Sequence, residues 1–317
     1  FRRLVEDDHR RRPFDILLER YSLWSLAGAR LARDLPLPLL LEVNAPLPEE
    51  ERRFRSLGLG SIARAIRRQV FREAAGILAV SREIADDTVR QGAPPERVAV
   101  VPNGFDPSVF RPARPPDARC GFTIGFLGTL KPWHGIENLC RAFSLVAGER
   151  EEARLLIVGD GPLRGRVERF AARTGLDDRI ELAGSVPHER IPSLLRRFDV
   201  AVAPYADRGA TYFSPLKIFE YMGAGLPIVA SRIGQIAEVL SDGRTALLVP
   251  PGDAPALALA IRRLMADGRL RRALGRAAAS AAHGSFRWED AALRVMDIAE
   301  RVLAARPQAA GKVGHGR

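Results

Sequence analysis

Lysine is almost missing from this chain. Of its 49 basic residues only Lys131, Lys217 and Lys312 are Lys, and the rest are Arg. A bias of that kind follows genome composition, so the positions that keep Lys are the ones to examine. No apolar run is long enough to cross a bilayer, which excludes a helical membrane span. The first residues carry no apolar leader, and the expected location is the cytoplasm. Cysteine is scarce as well. Cys120 and Cys140 lack metal-ligand spacing and a secreted context, so they read as packed thiols in a reducing compartment. Aromatic residues make up 7%. No stacking platform or recognised motif accompanies the arginines, which points against nucleic acid as a partner.

What is present is ordinary globular material. A length of 317 residues, 46% apolar and 27% charged, predicts about two domains, each with its own core. The chain opens on Phe1 with polar, helical text, and the expectation is that its N-terminus is incomplete. The net charge of +11 suits nucleic acid, an anionic lipid or a phosphorylated substrate.

Short apolar runs alternate with amphipathic stretches almost from end to end, the pattern of a parallel sheet covered by helices, so the fold class is α/β. Leu37 to Val43, Gly76 to Val80 and Arg97 to Val101 read as buried strands. Helices are expected over Tyr21 to Arg33, Ser61 to Ala75 and Arg82 to Gln91. Next comes PNGFDPSVFRPARPPDA, proline-rich and aperiodic, read as the interdomain linker. Beyond it FTIGFLG, RLLIVGD, RIELAG, DVAVAPY, LPIVAS and ALLVP are six further strands. Helices near Pro255 to Ala266, Leu270 to Ala282 and Trp288 to Ala304 follow. The expected domains are a partial N-terminal one over 1–108 and a complete doubly wound one over 109–290. A helix over 291–305 is expected to pack on the first, and 306–317 to be a disordered tail.

In open α/β sheets ligands sit beyond the carboxyl ends of the strands. Four loops that follow expected strands share a composition: LGTLKPWHG with Lys131 and His134, GDGP (Gly159 to Pro162), PYADRGATYFSP, and SRIGQ (Ser231 to Gln235). Their shared edge suggests one crevice. Within this region, SPLKIFEYMGAGLPIVAS places Ser214 as a helix N-cap and Pro215 in the first turn. Such an end favours phosphate, and Lys217 and Lys131 would add positive charge. Glu220 lies about one and a half turns in, where a carboxylate can accept two hydrogen bonds from a vicinal diol such as a ribose. Taken singly, these features occur in any α/β protein, and His134 and His188 read as polar surface residues. His134 gains weight from sitting beside Trp133 in the crevice loop.

With those residues in place, the chain resembles family 4 retaining glycosyltransferases of GT-B architecture, two Rossmann-like domains. The resemblance runs from about Asp15 to Trp288, through LLEVNAPL, VAVVPNGFDPSVFRP, GFLGTLKPWHG, LLIVGDGP and SPLKIFEYMGAGLPIVAS. It implies a hexosyl transfer from a UDP- or GDP-sugar donor to a carbohydrate or lipid-linked hydroxyl acceptor, in polysaccharide or glycoconjugate biosynthesis. No cofactor and no metal are implied. Glu220 matches the second glutamate of the family's E-x7-E motif and would bind the ribose. The backbone at Ser214, Pro215 and Leu216 would meet the diphosphate and hexose, and Gly128, Thr129, Gly159 and Gly161 would line the donor. Lys131, Lys217 or His134 would neutralise the leaving group, and the base would lie near Ser185 and Val186. On the acceptor side Asn44 stands where an active-site His is frequent, able to hydrogen-bond a sugar hydroxyl. The sequence departs from the pattern at the first glutamate, which is Tyr212. The usual Arg and Lys of the phosphate loop fall on Thr129 and His134. The glycine-rich loop that opens the family's first domain is not found.

One basic stretch stands apart. Leu59, Ile62, Ile66 and Val70 mark an apolar helical face with Arg64, Arg67, Arg68 and Arg72 largely off it, which fits a solvated helix or peripheral contact with an anionic membrane. Two other functions stay open: a non-catalytic nucleotide-sugar-binding scaffold, and a related GT-B nucleotide-sugar epimerase.

Overall fold

The computed structural model describes residues 2–48, 59–112, 121–206 and 214–305. Cys120, Tyr212, Lys312 and the tail over 306–317 lie outside them. The chain divides into two compact units, Phe1–Pro102 with Ala291–Arg317, and Asn103–Asp290. Both are α/β.

In the first unit four parallel strands stand in the order β1 (Leu17–Arg20), β2 (Leu39–Val43), β3 (Gly76–Ala79) and β4 (Val98–Val100). Leu39, Leu40 and Leu41 are all buried, as a strand covered on both faces requires. Strand β1 was not expected. It is an edge strand whose Leu18 is 60% exposed, so its sequence carries charge where a buried strand would be apolar. The ladder runs on through Tyr21 N–H, which donates to Glu42 O at 2.8 Å. That pairing delays the helix expected from Tyr21, which spans Ala27–Asp34 instead. The final helix, Trp288–Ala304, lays Ile298 and Ala299 on Leu40 and Leu78 of this sheet.

The helix Gly60–Glu73 turns a different face inward from the one the apolar pattern predicts. Its buried residues are Ala63, Arg67, Val70 and Phe71, while Leu59 and Ile62 are exposed. Arg67 is 3% exposed because its guanidinium donates to Gln91 Oε1, which lets the aliphatic stem pack. No helix among the described residues is long and apolar enough to cross a membrane.

The second unit holds the six expected strands: β5 (Phe122–Leu127), β6 (Ala153–Val158), β7 (Ile180–Gly184), β8 (Val200–Ala203), β9 (Ile228–Ser231) and β10 (Leu247–Val249). All are parallel, in the order β10-β9-β8-β5-β6-β7. Chain order therefore reverses between β5 and β8, the point at which a doubly wound sheet opens a crevice. Alternate residues feed two cores. Ile124, Phe126, Leu155 and Ile157 face the helices Ile136–Ala147 and Ala254–Ala266 on one side. Leu156, Val158, Ala201 and Ile228 meet the helix Leu216–Gly223 on the other. Cys140 lies in the first core, and burial pushes its thiol up to about 12, so it is an inert packed group.

The expected boundary after residue 108 moves to Pro102, and the start of the expected linker is core instead. Phe105 and Phe110 are 1% and 2% exposed. Phe105 N–H donates to Phe286 O at 3.0 Å, and its ring occupies the space a Cβ on Gly223 would take, 2.3 Å away. Two buried rings outweigh the prolines around them.

Candidate functional site

The carboxyl ends of β5, β6, β8 and β9 are bonded into one surface. Gly128 N–H donates to Val158 O at 2.8 Å and Leu130 N–H to Asp160 O at 2.9 Å, which joins the first loop to the second. The approach is close enough that Gly159 must be glycine. Its φ is +131°, and a Cβ there would lie 2.1 Å from Gly128 O. Gly135, at φ +69°, brings the first loop against the end of β8, where a Cβ would lie 1.7 Å from Pro204 O. The fourth strand is tied in by Ser231 Oγ, which donates to Tyr205 O at 2.7 Å. Gly159 N–H also donates to Gly184 O at 2.8 Å and adds the end of β7.

The helix Leu216–Gly223 points its N-terminus at this surface. Its cap is one residue later than expected: Pro215 is the N-cap, because Ile218 N–H closes the first turn on Pro215 O at 2.9 Å. Ser214 therefore stands outside the helix and makes no side-chain cap bond. Its buried Oγ has no hydrogen-bond partner among the described residues, and neither has Lys217 Nζ. Lys217 is 7% exposed. Its ammonium lies 4.2 Å from the Phe126 ring centroid and 5.4 Å from that of Tyr205, and a Cβ on Gly128 would be 2.7 Å from Nζ. Burial lowers its pKa to about 7, an effect that Glu220 partly opposes. A buried cation without a carboxylate partner is costly and is held where a ligand anion can complete it.

Around Lys217 the other groups take distinct electrostatic states. His134 Nδ1 bonds to Thr129 O, and its ring stands edge-on to Tyr205 at 5.6 Å. Burial, with the charges of Lys217 and Lys131, lowers its pKa to about 4, so it is neutral at pH 7. It contributes a polar ring edge and leaves the positive charge to the lysines. Lys131 lies 4.9 Å from the Trp133 ring centroid. Glu220 is half-buried, and desolvation raises its pKa against the opposing pull of His188 and Lys217. His188 had no expected role. It sits three residues beyond Ser185, and nothing local in the sequence signals that this loop faces Glu220.

The remaining candidates fall as follows. Thr129, Ser185 and Leu216 are exposed; Gly161 and Val186 are half-buried. Tyr212 lies outside the described residues. Asn44 belongs to the first unit, at the end of β2. Its Nδ2 donates to Glu42 Oε1 at 3.0 Å, and its buried Oδ1 has no partner among the described residues. No group of three or more His, Cys, Asp or Glu there could hold a metal ion.

Residues 121–267 match the family described as Glycosyl transferases group 1, and residues 1–104 match the one described as Glycosyl transferase 4-like domain. The chain belongs to the group 1 glycosyltransferases. It is 27% identical over 281 residues to the 2-deoxystreptamine glucosyltransferase of Streptomyces kanamyceticus, covering 81% of this chain and 70% of that protein. To the MMP α-(1→4)-mannosyltransferase of Mycolicibacterium hassiacum it is 31% identical over 242 residues, covering 75% of this chain and 57% of the relative. The chain thus spans little more than half of that second relative. Among solved structures, Anabaena HepE in complex with UDP superposes with a TM-score of 0.79 at 20% identity, covering 94% of this chain and 81% of the other. That likeness gives this glycosyltransferase the GT-B fold.

Proposed function

We propose that this group 1 glycosyltransferase moves a hexosyl unit from a nucleotide-diphosphate sugar to a hydroxyl acceptor, retaining the anomeric configuration. The observation that carries the reading is the Lys217 ammonium, buried without a hydrogen-bond partner among the described residues at the N-terminal turn of the helix Leu216–Gly223. The donor's diphosphate lies over that helix end, against the backbone of Ser214 to Leu216, with Lys131 adding charge from the loop of Gly128 and Thr129. Glu220 accepts from the ribose hydroxyls, with His188 alongside. The base rests on the main chain near Ser185 and Val186.

In the transfer, the bond between C1 of the sugar and the diphosphate oxygen breaks, and its electron pair leaves on that oxygen. Lys217 and the free helix N–H groups stabilise the developing charge from fixed positions, and this preorganised field is the main source of rate enhancement in such a site. The acceptor oxygen bonds to C1 from the face the diphosphate leaves and passes its proton to the departing diphosphate oxygen. The acceptor is a carbohydrate or lipid-linked alcohol. The exposed Leu59 and Ile62 beside exposed Arg64 and Arg68 suit peripheral contact with an anionic membrane. The working location is the cytoplasmic side.

A non-catalytic nucleotide-sugar-binding role is the second reading. It is favoured by Thr129 and neutral His134 at the two phosphate-loop positions where the family carries cations. A panel of UDP- and GDP-sugars, followed by thermal shift and by release of nucleoside diphosphate, separates the two. A donor that stabilises the protein and is consumed supports transfer. Stabilisation without turnover, with any acceptor tried, supports the second reading. A panel in which no nucleotide sugar shifts the melting temperature overturns both.

A further inference from the structure

A cavity in the second unit lies at the opposite edge of the sheet from Lys217. It has a volume of about 880 Å³ and is lined by the residues that lead into β8 and β9, Asp199 and Pro227, and by one face of the helix Gly268–Ser285. Among the described residues its walls carry five arginines, Arg111, Arg196, Arg271, Arg272 and Arg276, against one carboxylate, Asp199. Asp199 is already engaged, accepting from Thr123 N–H at 2.7 Å. Arg271 is fixed by the carbonyls of Leu264 and Met265 and lies 5.2 Å from the Phe122 ring centroid. Arg111 is anchored by a 3.1 Å bond from Nε to Pro107 O.

None of Arg111, Arg272 and Arg276 joins an ion pair among the described residues. Elsewhere on the unit arginines find carboxylates: Arg166 pairs with Glu137, Arg197 with Glu181 and Arg262 with Glu149. Arg272 and Arg276 stand one turn apart on the same helix, about 6 Å along its axis. Like charges at that spacing oppose each other and destabilise a helix. Both arginines are exposed at the rim of a concave surface, where charges of one sign add. Behind the arginines the floor is apolar, formed by Phe110, Leu195, Phe198 and Leu226.

We propose that this cavity is a second binding site, for an amphiphilic phosphate whose phosphoryl oxygens meet Arg272 and Arg276 and whose apolar or aromatic body rests on the floor. Guanidinium groups match phosphate in a bidentate fork, and the volume is that of a site for a small organic ligand, far beyond the needs of a lone anion. The site is separate from the donor edge and does not depend on the proposed reaction.

Isothermal titration of the full chain, with UDP present throughout, tests it with three probes: inorganic phosphate, phenyl phosphate, and dodecyl phosphate below its micellar concentration. At least one organic phosphate binds tenfold or more tighter than inorganic phosphate. Preference for the dodecyl probe assigns a lipid source, and preference for the phenyl probe a nucleotide-like one. Arg272→Glu with Arg276→Glu weakens that binding at least tenfold. Arg272→Lys with Arg276→Lys, which keeps charge but loses the fork, weakens it several-fold at an unchanged Tm, and this decides the matter even if the first variant folds poorly. Absence of binding to the wild-type chain, or binding that neither pair of substitutions weakens, overturns the proposal.

Discussion

The ammonium of Lys217 lies 4.2 Å from the centre of the Phe126 ring, so a cation on a helix is held against an aromatic face that rises from the central strand β5. That contact is partial compensation for a charge withdrawn from water. It fixes where the charge stands before any ligand arrives.

Lys217→Met is therefore expected to stabilise the ligand-free protein while weakening donor binding. The folded-state pKa of about 7 lies below the ordinary 10.5, so burial opposes folding wherever the unfolded chain holds its proton. That penalty is full below about pH 7 and fades as pH rises towards about 10.5, because the unfolded chain binds the extra proton in that window. Relief of about 2 kcal/mol raises Tm by roughly 4–8 °C. Differential scanning calorimetry at pH 6.5 and pH 9.5 checks it: the gain over wild type should shrink at the higher pH.

Donor affinity should fall with rising pH. An anion on Lys217 favours the ammonium, so binding takes up a proton whenever the free group is neutral. Affinity is level below about pH 7 and then declines by up to about tenfold per pH unit until the bound-state pKa is reached. Titrations of UDP in two buffers of different ionisation enthalpy measure the proton uptake. In Lys217→Met the uptake should vanish.

Glu220→Gln should weaken UDP binding by about tenfold, since a hydrogen bond to a charged group is worth roughly 1.5–3 kcal/mol. The effect should be specific to the ribose. With 2′,3′-dideoxy-UDP as ligand, wild type and variant should bind alike, and a difference between them would remove Glu220 from the sugar-recognition role.

Tyr221→Phe tests how the helix Leu216–Gly223 is seated. Its hydroxyl accepts from Leu127 N–H at 2.7 Å in a fully buried setting. Removing it leaves a buried donor unpaired at a cost of about 1–3 kcal/mol. Urea denaturation should show that loss. UDP affinity should fall with it, because the phenol ties the anion-facing helix to β5.

The fold of the second unit was legible because each of its strands is a short, mostly apolar run between helical stretches. The edge strand β1 was hidden by its exposure: Leu18 and Arg20 carry no burial signal. Asn103 to Pro112 escape the pattern for a different reason. Prolines there mark a path with few helical or ladder bonds, yet Phe105 and Phe110 anchor it to a core no local pattern reveals. Arg67 shows the same limit, since its burial depends on Gln91, 24 residues on. In the site, Lys131 and Lys217 stood out as rare lysines, one in the loop after β5 and one in the first turn of the helix Leu216–Gly223. The neutrality of His134 and the placement of His188 beside Glu220 depend on neighbours distant in sequence, and no spacing encodes them.

Because Ile298 and Ala299 cover Leu40 and Leu78, the sheet of β1 to β4 waits for a helix that is made only after the whole second unit. During synthesis those leucines stay uncovered while the whole intervening unit emerges and folds. Nascent chains of this protein stalled before Ala291 should therefore recruit hydrophobe-binding chaperones to the uncovered sheet, and release them only once the helix Trp288–Ala304 has left the ribosome.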